Sequence, residues 1–164
     1  MEKCLENDIR YSMRYLIDHN MNSCGWHELE VEKAENTFGV QVDSVYLAKS
    51  FPRSVERTQM PSLRGLGFST DCYSPKGTPR PKKDPVAIIS VATNTDGERQ
   101  FVAENSDDKV IINDFVQYVR KFDPDIMVGN ETNRKDWPYL VNCSRKLGIN
   151  FFVDRAKTEL HTSV

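Results

Sequence analysis

The run Val86-Ala87-Ile88-Ile89-Ser90-Val91-Ala92 constrains this chain more than any other segment. It is rich in β-branched residues, nearly free of polar groups and too short to be a useful helix. Such a run predicts a central strand covered on both faces. Upstream lies Ser74-Pro75-Lys76-Gly77-Thr78-Pro79-Arg80-Pro81-Lys82-Lys83-Asp84-Pro85, too rich in proline for regular structure. Downstream, Asn94 to Glu98 with Gly97 turns the chain, so that Gln100 to Ala103 returns as a hairpin partner. A sheet must therefore occupy the middle of the chain, and its neighbours must supply further strands and a covering layer.

The neighbours do so in order. Leu63 to Thr70 reads as a short apolar strand running straight into Asp71. Ser106 is placed to cap a helix whose first turn holds Asp107 and Asp108 and whose last turn holds Arg120 and Lys121, matching the helix dipole. Ile111, Ile112, Phe115, Val116, Val119 and Phe122 form its apolar face, and Pro124 ends it. Ile126 to Gly129 reads as a buried strand. A second helix starts near Asp136, has Pro138 in its first turn and stops at Gly148. Phe151 to Val153 is a candidate for one more strand. The order β-β-β-α-β-α predicts a mixed α/β domain with helices packed on the sheet.

The first sixty residues differ in texture. Ile9, Met13, Leu16 and Ile17 recur at helical spacing behind Asn7 or Asp8 as a cap, and the helix should run to about His19. Trp26 to Glu32 alternates apolar and acidic residues like a half-exposed strand, and Val40 to Ala48 is a second strand candidate. Ser50 to Ser62 is a polar connector. The domain boundary is placed there, with a small α+β segment over residues 1–60 and the α/β domain over 61–164.

Two Trp, six Tyr and eight Phe suffice to build a core, which excludes a disordered chain despite 28% charged residues. A formal charge of -2 excludes a polybasic protein, but not a local basic patch. Lys76, Arg80, Lys82 and Lys83 form such a patch, either a contact for nucleic-acid phosphates or a solvated loop stiffened by proline. Trp137 and Tyr139 have two readings as well, base stacking or core packing. The cysteines at 4, 24, 72 and 143 lack metal-site spacing and read as reduced, half-buried residues. No apolar run reaches membrane length and charges occur throughout the first twenty residues, so a soluble, cytoplasmic chain is expected.

Asp71 at a strand end and Asp136 at a helix start are candidate metal ligands, since two-metal phosphoryl chemistry needs acids converging at a sheet edge. The competing reading has Asp71 open a turn and Asp136 cap its helix.

Phe68-Ser69-Thr70-Asp71, followed by Cys72-Tyr73-Ser74-Pro75-Lys76-Gly77, resembles the first exonuclease motif of archaeal-type family B DNA polymerases. Asp125-Ile126-Met127-Val128-Gly129 with Thr132-Asn133-Arg134-Lys135-Asp136-Trp137-Pro138-Tyr139-Leu140 resembles the second. Glu6-Asn7-Asp8-Ile9-Arg10-Tyr11 through Arg14-Tyr15-Leu16-Ile17-Asp18 is similar to the segment preceding that domain. The resemblance implies a ribonuclease-H-like 3′→5′ exonuclease domain, incomplete at its carboxyl end, behind part of a polymerase amino-terminal domain. It also implies DNA replication as the setting, Mg²⁺ or Mn²⁺ as cofactor, and single-stranded DNA or a primer 3′ end as partner. The remaining polymerase is then a further partner, supplied in trans.

The departures from the family pattern bear directly on chemistry. The family's first motif reads Asp-x-Glu, and the matching positions are Ser69 and Asp71. A serine hydroxyl, neutral at pH 7, is no substitute for a bridging carboxylate. In the second motif Glu131 replaces Asn and Lys135 replaces Phe, while Asp136 is retained. The third motif, Tyr-x-x-x-Asp, is expected beyond residue 164. Catalysis would therefore rest on Asp71 and Asp136, binding metal weakly if at all. Three functions follow from these residues: a degenerate exonuclease-like module that still binds nucleic acid, an active nuclease with the rearranged set Asp71, Glu131 and Asp136, and a non-enzymatic module for single-stranded DNA or a replication partner.

Overall fold

A computed structural model describes residues 9–75 and 77–158. The chain divides into two compact units, Met1–Pro61 and Ser62–Val164.

In the first unit, α1 (Tyr11–Asp18) starts behind Arg10 with no side-chain cap, and Arg14 pairs with Asp18 one turn on at 2.9 Å. Asn7 and Asp8, the expected caps, lie outside the described residues. The expected strand from Trp26 to Glu32 is two strands, β1 (Trp26–Glu28) and β2 (Val31–Ala34). They separate because each has a different partner. β2 pairs antiparallel with β3 (Val45–Ala48), and β1 pairs antiparallel with β4 (Arg53–Val55). The connector expected over Ser50 to Ser62 thus contains a strand, and the register of Ala34 opposite Val45 leaves Val40 to Ser44 in the loop between β2 and β3. His19 sits against the rings of Tyr15 and Phe51, and Trp26 lies under the Arg57 guanidinium. No described residue of this unit is buried.

The second unit is organised by one sheet, in the order β7-β6-β5-β8. β5 (Gly65–Cys72), β6 (Val86–Thr93) and β7 (Gly97–Val102) form an antiparallel meander, and β8 (Ile126–Val128) adds parallel to β5. Between β7 and β8 runs α2 (Asp108–Phe122), and α3 (Asp136–Leu147) follows β8. The cap of α2 is Asp107, whose carboxylate accepts the Lys109 N–H at 3.1 Å, rather than Ser106. Ser106 adopts the left-handed conformation (φ 61°), and a capping residue needs an extended one. The Asp108 carboxylate accepts the Val86 N–H and ties the helix start to β6. α3 stops at left-handed Gly148 (φ 66°), where a Cβ would be strained.

The strand period decides which side chains build the core. Leu66, Phe68 and Thr70 of β5 share a face with Ile89 and Val91 of β6 and Phe101 of β7. α2 contributes Ile112, Phe115 and Val119 to this layer, and α3 contributes Trp137, Leu140 and Val141. Phe151, read as the start of a strand, is instead an irregular residue buried beside Trp137. The opposite face carries Gly67, Ser69 and Asp71 of β5, Ser90 and Ala92 of β6, and Glu98 and Gln100 of β7. No helix covers it among the described residues, so the Val86–Ala92 strand is enclosed on one face only. Its apolar run misled because Ala87 and Ile88 are half-buried rather than buried.

At one end of the sheet, four charges join three segments. Arg64, just before β5, and Arg155, near the end of the described chain, both bond Asp123 and Asp125, which flank Pro124. The Arg155 hydrogen bond is the main cause holding the Asp123 carboxyl below its ordinary value. Asp125 is also lowered, first by the Arg64 backbone N–H and then by Arg155. Among the described residues, no helix is long and apolar enough to cross a membrane.

Candidate nuclease site

Ser69 and Asp71 are exposed, two residues apart on β5, and therefore on the uncovered face. Asp71 is a strand residue opposite Ile88, not a turn opener. Asp136 is not the cap of α3, which is Lys135, but its first helical residue, and it is 2% exposed. Its carboxylate accepts two hydrogen bonds from Thr70, from the hydroxyl at 2.5 Å and from the backbone N–H at 3.2 Å. Thr70 belongs to the core face of β5. Asp71 therefore lies on the open face of β5, whereas the Asp136 carboxylate is held by Thr70, whose side chain lies on the core face. Asp136 acts as a buried bolt between α3 and β5, its Oδ1 accepting both Thr70 bonds.

Glu131 lies in the loop between β8 and α3, exposed and left-handed (φ 57°), with its carbonyl accepting the N–H groups of Arg134 and Lys135. Lys135 is exposed at the N-cap of α3. Gly129 begins the same loop at very close quarters. A Cβ there would meet the Thr132 hydroxyl and, at 2.8 Å, the Phe68 carbonyl of β5. The Thr132 hydroxyl is buried without a hydrogen-bond partner among the described residues. No group of three His, Cys, Asp or Glu side chains among the described residues stands close enough to hold a metal ion. The residues present do not fit a two-metal centre: Ser69 offers only a neutral hydroxyl on the open face, and no third acid joins Asp71 and Asp136 among the described residues.

The basic loop is better organised than a solvated linker. The Asp84 carboxylate accepts the Arg80 N–H at 2.8 Å, and the N–H groups of Lys83 and Asp84 return to the Arg80 carbonyl. The Tyr139 hydroxyl donates to the Asp84 carbonyl at 2.6 Å, and the Cys143 thiol donates to the Pro81 carbonyl. Two side chains of α3 therefore fix this turn, and Arg80, Lys82 and Lys83 are positioned on it. Lys76 lies outside the described residues. Burial pushes the Cys143 thiol up to about 12 and raises Cys72 and Tyr139, so all three are neutral hydrogen-bonding groups at pH 7. Trp137 and Tyr139 are core residues and offer no face to a base.

Sequence reasoning missed Thr70 and the Tyr139–Asp84 bond. A buried threonine alternating with Leu66 and Phe68 was the available signal for the first. The second joins residues far apart in sequence and left no local signal.

A family model described as DNA polymerase family B, exonuclease domain, matches residues 2–162. The chain belongs to that family. It is 39% identical over 160 residues to DNA polymerase 2 of Aeropyrum pernix, covering 94% of this chain and 20% of that protein. It is 35% identical over 150 residues to a DNA polymerase of Archaeoglobus fulgidus, covering 92% of this chain and 18% of the other. The solved family B DNA polymerase of the hyperthermophilic archaeon Pyrobaculum calidifontis superposes with a TM-score of 0.84 at 39% identity, over 97% of this chain and 20% of that one. This likeness shows the ribonuclease-H-like architecture in the mixed sheet with flanking helices. The chain spans about one fifth of the length of these relatives.

Proposed function

We propose that this chain is an exonuclease-like module of a family B DNA polymerase that binds nucleic acid without hydrolysing it. The observation that carries the reading is the disposition of the two strand faces: Ser69 at the first-motif position on the open side, and the Asp136 carboxylate bonded to Thr70 on the other. Exonuclease domains of this family depend on divalent metal, and two-metal hydrolysis needs a bridging carboxylate. A neutral serine does not supply one. The anchored turn with Arg80, Lys82 and Lys83 supports retained contact with a single-stranded DNA backbone or primer 3′ end, each phosphate contact being electrostatic and salt-sensitive. The first unit is then the part of the polymerase amino-terminal domain that precedes the exonuclease, and the remaining polymerase polypeptide is the natural companion.

The test is release of nucleotides from the 3′ end of single-stranded DNA with Mg²⁺ or Mn²⁺. No release is expected, nor any rescue by Ser69→Asp with Asp71→Glu. Metal-dependent release that Asp136→Asn abolishes would establish instead an active nuclease built on Asp71, Glu131 and Asp136. Binding is read separately by anisotropy of labelled single-stranded DNA. Lys82→Glu with Lys83→Glu should weaken it and flatten its salt dependence, by about 0.7 in log-log slope for each phosphate no longer neutralised. Equal binding by this variant would remove the loop from the interface.

A further inference from the structure

Among the described residues the sheet has an unpaired edge at β7, and that edge borders a groove against α2. The Ala103 N–H bonds the Ala87 carbonyl at 2.8 Å, which sets the alternation of the antiparallel ladder. Gly97, Arg99 and Phe101 then face β6, and the backbone N–H and carbonyl groups of Glu98, Gln100 and Val102 face outward. Such a row is a template for another extended segment. Two depressions of about 380 and 540 Å³ run along it, sharing Arg99, Phe101 and Asp114. Their lining holds four acids (Asp96, Glu104, Asp107, Asp114) against two cations (Arg99, Lys121). One of these cations is already occupied, since the Arg99 guanidinium lies over the rings of Phe101 and Tyr118 at 4.9 and 5.7 Å. Val102 and Val110 add exposed apolar surface at 56% and 55%.

We propose that the β7 edge and its groove receive an extended peptide of alternating cationic and small apolar residues, added as a fifth strand. The outward backbone groups supply ladder hydrogen bonds, and the side chains supply selection. Excess negative charge selects lysine or arginine on the strand face turned to the groove, and Val102, on the other face of β7, selects apolar residues between them. The same charge disfavours a second copy of this chain, because pairing β7 with β7 would bring acids against acids. A nucleic-acid strand is disfavoured for the same reason.

The probe is a labelled peptide of alternating lysine and valine, followed by anisotropy against the whole chain. Saturable binding that weakens with salt is expected, with none for the matching glutamate–valine peptide. Val102→Pro removes one outward N–H while leaving the bonds to β6, as edge strands tolerate. It should weaken binding at least about tenfold, as should Asp114→Lys. If Val102→Pro disturbs the fold, a peptide N-methylated on its strand-pairing amides decides the matter with the unaltered chain, and it should fail to bind. Equal affinity for the acidic peptide, undiminished binding of the N-methylated peptide, or a dimer of this chain that Val102→Pro dissociates would each overturn the proposal.

Discussion

The two faces of β5 are built from adjacent residues yet obey different rules. On one, Leu66, Phe68 and Thr70 meet α2 and α3 and are almost wholly buried. On the other, Gly67, Ser69 and Asp71 meet no helix among the described residues. The first-motif positions belong to the second face, where the fold asks little of a side chain. A serine there leaves the packing untouched. The acid that remains in the second motif, Asp136, is the one whose carboxylate holds a helix to a strand. The difference teaches that the open face tolerates side-chain changes that the covered face would not, and that an acid at a strand–helix junction can owe its place to architecture.

The contrast can be broken by stability measurements. The largest effect is expected on the covered face, where Leu66→Ala should lower the unfolding free energy by about 2–5 kcal/mol in urea denaturation. Asp136→Ala should come next, at about 2 kcal/mol, because it removes a charge-assisted pair of hydrogen bonds and strands the Thr70 hydroxyl in the core. A variant as stable as the parent would show that Asp136 is no bolt. Ser69→Ala and Asp71→Ala should each stay within about 0.5 kcal/mol. A larger loss would mean that the open face is packed after all.

A smaller effect sharpens the same contrast at the sheet's end. The folded-state values of Asp123 and Asp125 are depressed, so their contribution is present above the ordinary carboxylate value of 3.8 and is lost as pH falls through the depressed values. Arg155→Ala should therefore reduce stability at neutral pH, and the gap from the parent should close in acid. A gap that persists unchanged below about pH 2 would place the Arg155 contribution in packing instead of charge.

Much of this was legible in sequence, for identifiable reasons. The six apolar residues expected to form one face of α2 are all buried, since helical period and burial coincide where a helix lies on a sheet. Gly148 stops α3 as read. The amino-terminal strands were misjudged because pairing, not pattern, divides Trp26–Glu28 from Val31–Ala34. Ser106 and Asp107 are both good caps by residue type, and only backbone conformation separates them. The candidate acids were legible as residue types but not as directions. Nothing in the motif said that the Asp136 carboxylate would meet Thr70.

The parallel pairing of β5 with β8 also has a kinetic consequence. Gly65 stands opposite Ile126, so this pairing closes a loop of about 60 residues, whereas β6 and β7 meet across a tight turn. The hairpin should form early and the β5–β8 seam late, with Arg64, Asp123, Asp125 and Arg155 engaging only as it closes. Substitutions in this quartet should accelerate unfolding while leaving the refolding rate nearly unchanged. The ionic cluster is then a latch on the way out of the native state, setting how long the module persists once folded.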